Sequence, residues 1–167
     1  MELRIMTKLT AQDVMTRAVI TVSPDNPVEA AAERMVRHRI TGLPVLDESG
    51  AVVGMVSDFD VIGKQGRLVR DIMTTQVISV SPATDLDEIG NILTGKHIRR
   101  LPVVQAGTLV GVVSRGDVIK RIAQRWTCAV CGAVERGPLA PASCPSCAAD
   151  GSQFTLVDEP PMMYRDM

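Results

Sequence analysis

Aromatic side chains are nearly missing from this chain: Phe59, Trp126, Phe154 and Tyr164 are all there are in 167 residues. The core must therefore be built from Val, Ile, Leu, Met and Ala, and stacking platforms for single-stranded nucleic acid are not available. Charge is also in short supply. Charged residues make up 22% and the formal net charge is -1, whereas domains that grip a phosphate backbone are usually strongly basic. Nucleic acid is thus argued against as a partner. No apolar run approaches the roughly 20 residues needed to cross a bilayer. The opening Met1-Glu2-Leu3-Arg4-Ile5-Met6-Thr7-Lys8 lacks the apolar stretch of a secretory signal. The expectation is a cytoplasmic protein with no membrane partner. Catalytic constellations are missing too: there is no Ser-His-Asp set, no nucleophile elbow and no glycine-rich P-loop. The two histidines, His38 and His97, read as helix-end residues. The chain is not expected to be an enzyme.

What the sequence does hold is an internal repeat. Asp13-Val14-Met15-Thr16 recurs as Asp71-Ile72-Met73-Thr74, Val22-Ser23-Pro24 as Val80-Ser81-Pro82, and Leu43-Pro44-Val45 as Leu101-Pro102-Val103, all at an offset of 58. One residue is then lost, and Val53 to Ile62 matches Val110 to Ile119 at an offset of 57, with seven of ten pairs identical.

Each copy reads as strand-helix-strand-strand-helix. A strand around Val19–Val22 leads into a Ser-Pro turn, and Asp25 or Asn26 caps a helix that has Pro27 at its first position. Ala30, Ala31, Met35 and Val36 give that helix an apolar face. Strands follow at 43–46 and 52–56 around the turn Glu48-Ser49-Gly50, and a second helix starts after Ser57. The other copy predicts a helix near 86–93, strands near 101–104 and 109–113, and a helix from Arg115 to about Arg125. Gly90 and Gly95 weaken its first helix. A unit of under 60 residues has little core of its own. Two copies related by a pseudo-twofold would bury their sheets together, giving an α/β (α+β) domain of two βαββα repeats over 10–66 and 67–125.

These repeats resemble cystathionine-beta-synthase (CBS) domains, which occur in pairs called Bateman modules. The residues that carry the likeness are the Asp-x-Met-Thr, Val-Ser-Pro and Leu-Pro-Val elements, Ile40-Thr41-Gly42, and Gly54-Met55-Val56-Ser57-Asp58-Phe59-Asp60. The resemblance implies binding of an adenosine-containing ligand (AMP, ADP, ATP or S-adenosylmethionine) in clefts between the repeats. It also implies a homodimer formed through the pair.

Ser57 and Asp60, and Ser114 and Asp117, sit where a strand gives way to a helix. Exposed N–H groups and a serine hydroxyl there suit a phosphate, and a carboxylate three residues on can accept both ribose hydroxyls. A capping box that needs no ligand has the same Ser-x-x-acid pattern. Both readings stand at this level. The resemblance makes Asp60 and Asp117 ribose-binding positions, Ser57 and Ser114 phosphate contacts, and Arg99 and Arg100 phosphate-contacting bases. Backbone around Thr21-Val22 and Ser79-Val80 would frame the purine, with Ile40, Pro44, Ile98 and Pro102 completing the implied ligand set. The second copy adds Arg115 where the first has Asp58, an acid that should repel a polyphosphate. The cleft of the second copy is therefore expected to carry phosphate. The alternative for these arginines is a solvated surface or salt bridges to the partner repeat.

From Trp126 the composition changes. Cys128-x-x-Cys131 and Cys144-x-x-Cys147 are two knuckles whose four sulfurs suit one tetrahedral ion, and in a cytoplasm they are thiolate ligands rather than disulfides. Sulfur-only sites take zinc or iron. So short a segment would depend on that ion to fold. The segment 126–157 resembles the rubredoxin-like domain of rubrerythrins, which holds one iron and passes one electron, and equally a structural zinc ribbon. Ala133 stands where that domain usually has an aromatic, and Ala148 where it commonly has Gly. The tail, 158–167, reads as a flexible end or a strap.

The functional expectation is a regulatory, non-catalytic ligand sensor that carries a metal module and acts on an unknown regulated protein. An iron protein for electron transfer or redox sensing is the alternative. A nucleic-acid-binding ribbon is the weakest, with only Arg136 basic between Cys128 and Cys147.

Overall fold

The computed structural model describes residues 9–157; the tail expected at 158–167 lies outside them. The chain divides into two compact units between Arg115 and Gly116.

In the first unit, α1 (Ala11–Val14), α2 (Val28–His38), β1 (Gly42–Leu46), β2 (Val52–Ser57) and α3 (Asp58–Gly63) form the first repeat. The second opens with α4 (Val69–Ile72) and continues through α5 (Leu86–Gly95), β3 (Arg100–Gln105) and β4 (Thr108–Ser114). Each strand pair is an antiparallel hairpin, and both carry a register shift at the same place, between Val45 and Leu46 and between Val103 and Val104. Asp47 makes the first hairpin turn, its Oδ1 accepting from the amides of Ser49 and Ala51 at 2.9 and 3.0 Å. Gly50 supplies the positive φ of 82°.

The strand expected at Val19–Val22 shrinks to a single parallel bridge from Val22 to Val45, matched by Val80 to Val103. Val22 donates to Pro44 and its carbonyl accepts from Leu46. Proline has no N–H, so β1 offers this segment little ladder to extend. The cap of α2 also differs. Asn26 Oδ1 accepts from Ser23 N at 2.9 Å within the turn, and Pro27 itself occupies the position before the helix. Ala31 and Met35 are buried as expected, but Val36 is 79% exposed.

The repeats are interlocked by their opening segments. Thr16 pairs with Val112 of β4, and Thr74 with Met55 of β2. Val69 N donates to Asn26 and Arg70 N to Pro24, while Ala11 N donates to Thr84 and Gln12 N to Pro82. The buried cluster of the first repeat, with Val22, Leu43, Val45 and Val56, includes Val69 and Ile72 from the start of the second. Gly54 and Gly111 make the exchange possible. A Cβ on Gly54 would sit 2.7 Å from Met73 Sδ, and one on Gly111 would sit 2.5 Å from Met15 Sδ.

The second unit contains most of α6 (Arg115–Ile122), which starts at the division, and a three-stranded antiparallel sheet. The order is β6 (Val134–Arg136), β5 (Arg125–Cys128), β7 (Phe154–Leu156). Cys128, Cys144 and Phe154 are its buried centre, with Trp126 and Ala133 packed against them. With so few apolar groups inside, burial alone contributes little to this unit.

Candidate functional site

A cleft of about 260 Å³ opens in the first unit. One wall is the end of β2 and the start of α3, from Met55 to Asp60. Thr41-Gly42 lies directly beside it, Gly42 pairing with Ser57 and the Thr41 carbonyl accepting from Asp58 N, and His97, Ile98, Arg99 and Arg100 with Thr74, Gln76, Val77 and Ile78 complete the lining. The interlocked topology puts these pieces together, since Thr74 pairs with Met55 on the cleft side of β2.

Asp60 is the buried acid of this site, 9% exposed. Its Oδ2 accepts from Ser57 N at 2.8 Å and from Ser57 Oγ at 2.7 Å, and its Oδ1 lies 2.7 Å from Lys64 Nζ. Lys64 also donates to the Ile72 carbonyl at 2.8 Å. Burial pushes the Asp60 carboxyl up, but the hydrogen bonds from Lys64 and Ser57 outweigh it and hold it below the ordinary carboxylate value. The capping box foreseen as the ligand-free alternative is thus formed, with Ser57 as cap.

The arginines are engaged as well. Arg99 reaches Asp58 Oδ2 at 3.3 Å and stands 5.1 Å from the centre of the Phe59 ring. Arg100 donates to the Gly42 carbonyl at 2.8 Å and to Thr41 Oγ1 at 3.0 Å. The contacts between repeats that were weighed against phosphate binding are present. Arg115 donates from Nε to the Ile98 carbonyl at 2.9 Å.

Of the residues singled out in the sequence, the cleft brings together Ser57, Asp60, Ile98, Arg99 and Arg100. Arg99 and Arg100 meet the helix start of the first copy, where the sequence assigned them to the cleft of the second. Arg99 precedes β3 and Arg100 opens it, at the seam between the repeats, where Arg99 meets Asp58 and Phe59 and Arg100 meets Thr41 and Gly42. The other expected positions are not on this wall. Val22, Pro44, Val80 and Pro102 are buried in the core, and Ile40 packs against it. The Thr21 carbonyl accepts from Arg34, and Ser79 is exposed. Ser114 ends β4, and Asp117 lies in the first turn of α6. Sequence reasoning missed Gln76, Val77 and Ile78, whose only signal was their position just after Asp-Ile-Met-Thr. It also missed Lys64, which the spacing of four from Asp60 offered.

In the second unit the sulfurs of Cys128, Cys131, Cys144 and Cys147 all lie within 4.8 Å of one another. Two separations are 3.6 Å (Cys131 to Cys144) and 3.8 Å (Cys128 to Cys147). A tetrahedron with metal–sulfur bonds of about 2.3 Å has edges of about 3.8 Å, so the donor set fits one ion. The two knuckles are near copies. Gly132 N donates to the Cys128 carbonyl and Ala148 N to that of Cys144, each at 2.8 Å. Both knuckles need a positive φ, 76° at Gly132 and 59° at Ala148. Burial raises the Cys144 thiol, but the amides of Cys147 and Ser146 bring it down to about 7. Cys147 is held up at about 12: the Ala149 amide lowers it, while the neighbouring Cys131 and burial, then Cys144 and Cys128, raise it more. The hydrogen bonds from the Cys147 and Ser146 amides thus favour thiolate character at Cys144, and a cation held by the four sulfurs would displace thiol protons.

Comparison with known proteins gives consistent results. The family model for the CBS domain matches residues 11–66 and 69–124, and that for the rubredoxin-like domain of rubrerythrin matches 126–155. The CBS domain-containing protein YhcV of Bacillus subtilis is 35% identical over 114 residues, 64% of this chain and 81% of that protein. An inosine-5'-monophosphate dehydrogenase of Korarchaeum cryptofilum is 41% identical over 114 residues, 66% of this chain but only 24% of the enzyme. The chain likewise spans 58% of the chloroplastic protein CBSX1 of Arabidopsis thaliana. Among solved structures, CBSX2 of Arabidopsis thaliana in complex with AMP superposes with a TM-score of 0.64 at 35% identity, covering 66% of this chain and 93% of that one. The CBS domain pair of protein MJ0100, in complex with 5'-methylthioadenosine and S-adenosylmethionine, gives 0.65 at 25%, covering 68% and 94%.

Proposed function

The chain belongs to the CBS-domain family, and from that premise we propose that it is a non-catalytic regulatory module whose first unit binds an adenosine-containing ligand. The observation that carries this reading is the cleft in which Ser57 and Asp60, at a helix start, face Arg99 and Arg100 of the other repeat. Asp60 would take the ribose hydroxyls on lone pairs left free beside Ser57 and Lys64. Val77 and Ile78 offer apolar surface to the base. The volume lies just under the roughly 300–1,000 Å³ of ordinary small-molecule pockets, which suits one nucleoside and not a dinucleotide. The solved relatives named above hold AMP, or 5'-methylthioadenosine with S-adenosylmethionine. Binding would regulate by favouring one arrangement of the two repeats. Val36 on α2 and Ile62 on α3, 79% and 86% exposed, suit the homodimer of such pairs, and the regulated partner would be a protein. Calorimetric titration with AMP, ADP, ATP and S-adenosylmethionine is the test. Saturable heat with at least one supports the sensor, and none with all four removes it.

The four cysteines would hold one ion, zinc as a structural element or iron as a redox centre. The match to the rubredoxin-like domain over 126–155 favours keeping the second reading. Bound iron would supply one-electron chemistry, for which the chain contributes four thiolates and knuckle amides. Purification with iron supplied and zinc depleted should then give a red protein. A colourless zinc form under those conditions counts against electron transfer.

A further inference from the structure

The sensor reading leaves open which adenosine compounds the cleft accepts, and Asp58 bears on this. Asp58 is the first residue of α3, and its carboxylate is bound twice. Oδ1 accepts from Phe59 N at 3.0 Å, and Oδ2 takes the Arg99 guanidinium at 3.3 Å. The other amides of that turn are also taken. Asp58 N donates to the Thr41 carbonyl at 3.1 Å, and Asp60 N to Ser57 Oγ at 3.4 Å. A ligand phosphate next to ribose-bound Asp60 would need these same donors. Arg100, the other cation of the wall, is directed to Gly42 and Thr41. Among the residues lining the cleft, the carboxylates Asp58 and Asp60 stand with the guanidiniums Arg99 and Arg100, while Lys64, outside the lining, is committed to Asp60 and the Ile72 carbonyl. Asp58 thus offsets the positive charge that Arg99 would otherwise bring to a phosphate chain.

Resting on the sensor reading, we propose that Asp58 is a specificity-determining residue that stands in for a ligand phosphate. The cleft is thereby matched to adenosine derivatives without a phosphate chain, neutral thionucleosides or sulfonium nucleosides, and selects against polyphosphates. A polyphosphate would have to displace Asp58 from Arg99 and then lie against its carboxylate. A neutral or cationic 5' substituent leaves the pair intact. Selectivity would thus come from a repulsive element built into the site.

The test is titration of the full metal-loaded chain with 5'-methylthioadenosine, S-adenosylmethionine, AMP and ATP, for wild type and Asp58→Asn. The wild type should bind the thionucleoside and the sulfonium at least about tenfold more tightly than ATP, the order of effect one partly exposed charge exerts. In Asp58→Asn, ATP should gain most of that factor while 5'-methylthioadenosine stays within about twofold. On the wild type alone, raising salt from about 0.1 to about 1 M, where the screening length falls from about 10 to about 3 Å, should narrow the ratio. ATP binding as tight as the thionucleoside in wild type, or a ratio that neither Asp58→Asn nor salt changes, overturns the proposal while leaving the sensor standing. Absence of binding by all four compounds overturns the sensor and this proposal with it.

Discussion

Asp60 shows how one side chain can serve folding and recognition together. Its carboxyl lies below the ordinary value of 3.8 because Lys64 and Ser57 stabilise the anion more than burial destabilises it. A lowered folded value means stability that is present above the unfolded pKa and lost as pH falls through the folded one. Acid titration should therefore release this contribution below about pH 4, and Asp60→Asn should flatten that part of the stability–pH curve, read by thermal melts between about pH 2 and pH 6. Ala148 makes a second case. A non-glycine residue at φ 59° carries a cost of about 1–2 kcal/mol, so Ala148→Gly should raise metal affinity several-fold in a chelator competition. Unchanged affinity would mean the knuckle absorbs the strain. The sequence marked Ala148 only as a departure from a likeness, since φ cannot be read from a residue name. The Ser57–Asp60 pairing was legible because it is local, whereas the Asp58–Arg99 bond spans 41 positions and was weighed only as one possible fate of the arginine.

At the level of elements, α5 carries glycine in its interior. A Cβ on Gly90 would meet nothing within 4 Å. Gly90→Ala should therefore stabilise the protein by about 0.5–1 kcal/mol, seen as a higher denaturation midpoint with an unchanged slope. Gly54 and Gly111 are the opposite case, because the methionines Met73 and Met15 press on them. Gly54→Ala should cost about 1–3 kcal/mol. Met73→Ala should recover part of that loss in a double-mutant cycle, since the two sites share one contact. The hairpins and α3 could be read from alternation and turn residues. The expected strand at Val19–Val22 could not, because the Leu-Pro-Val partner strands withhold the amide a full ladder would need. The bare Val36 and the Arg99–Arg100 grouping depend on how the repeats interlock, and periodicity within one repeat carries no such information.

For the whole molecule, the four thiols should make the second unit depend on its ion. Trp126, the sole tryptophan, packs against the cysteine cluster and donates from Nε1 to the Gly137 carbonyl at 2.9 Å. Removing the metal with a strong chelator should shift its fluorescence to the red as that packing loosens. Nucleotide affinity measured in the same sample would report whether the first unit survives. An unmoved spectrum after verified metal loss would show a fold that stands without its ion. The reciprocal bracing of the first unit has its own consequence. Each half leaves the other's sheet edge covered and its own hydrophobic floor incomplete, so a chain cut to a single repeat has lost its closing piece. Two such half-length molecules could restore it by trading their leading ends, and the fragment should then be recovered as a pair held together by the exchanged segments.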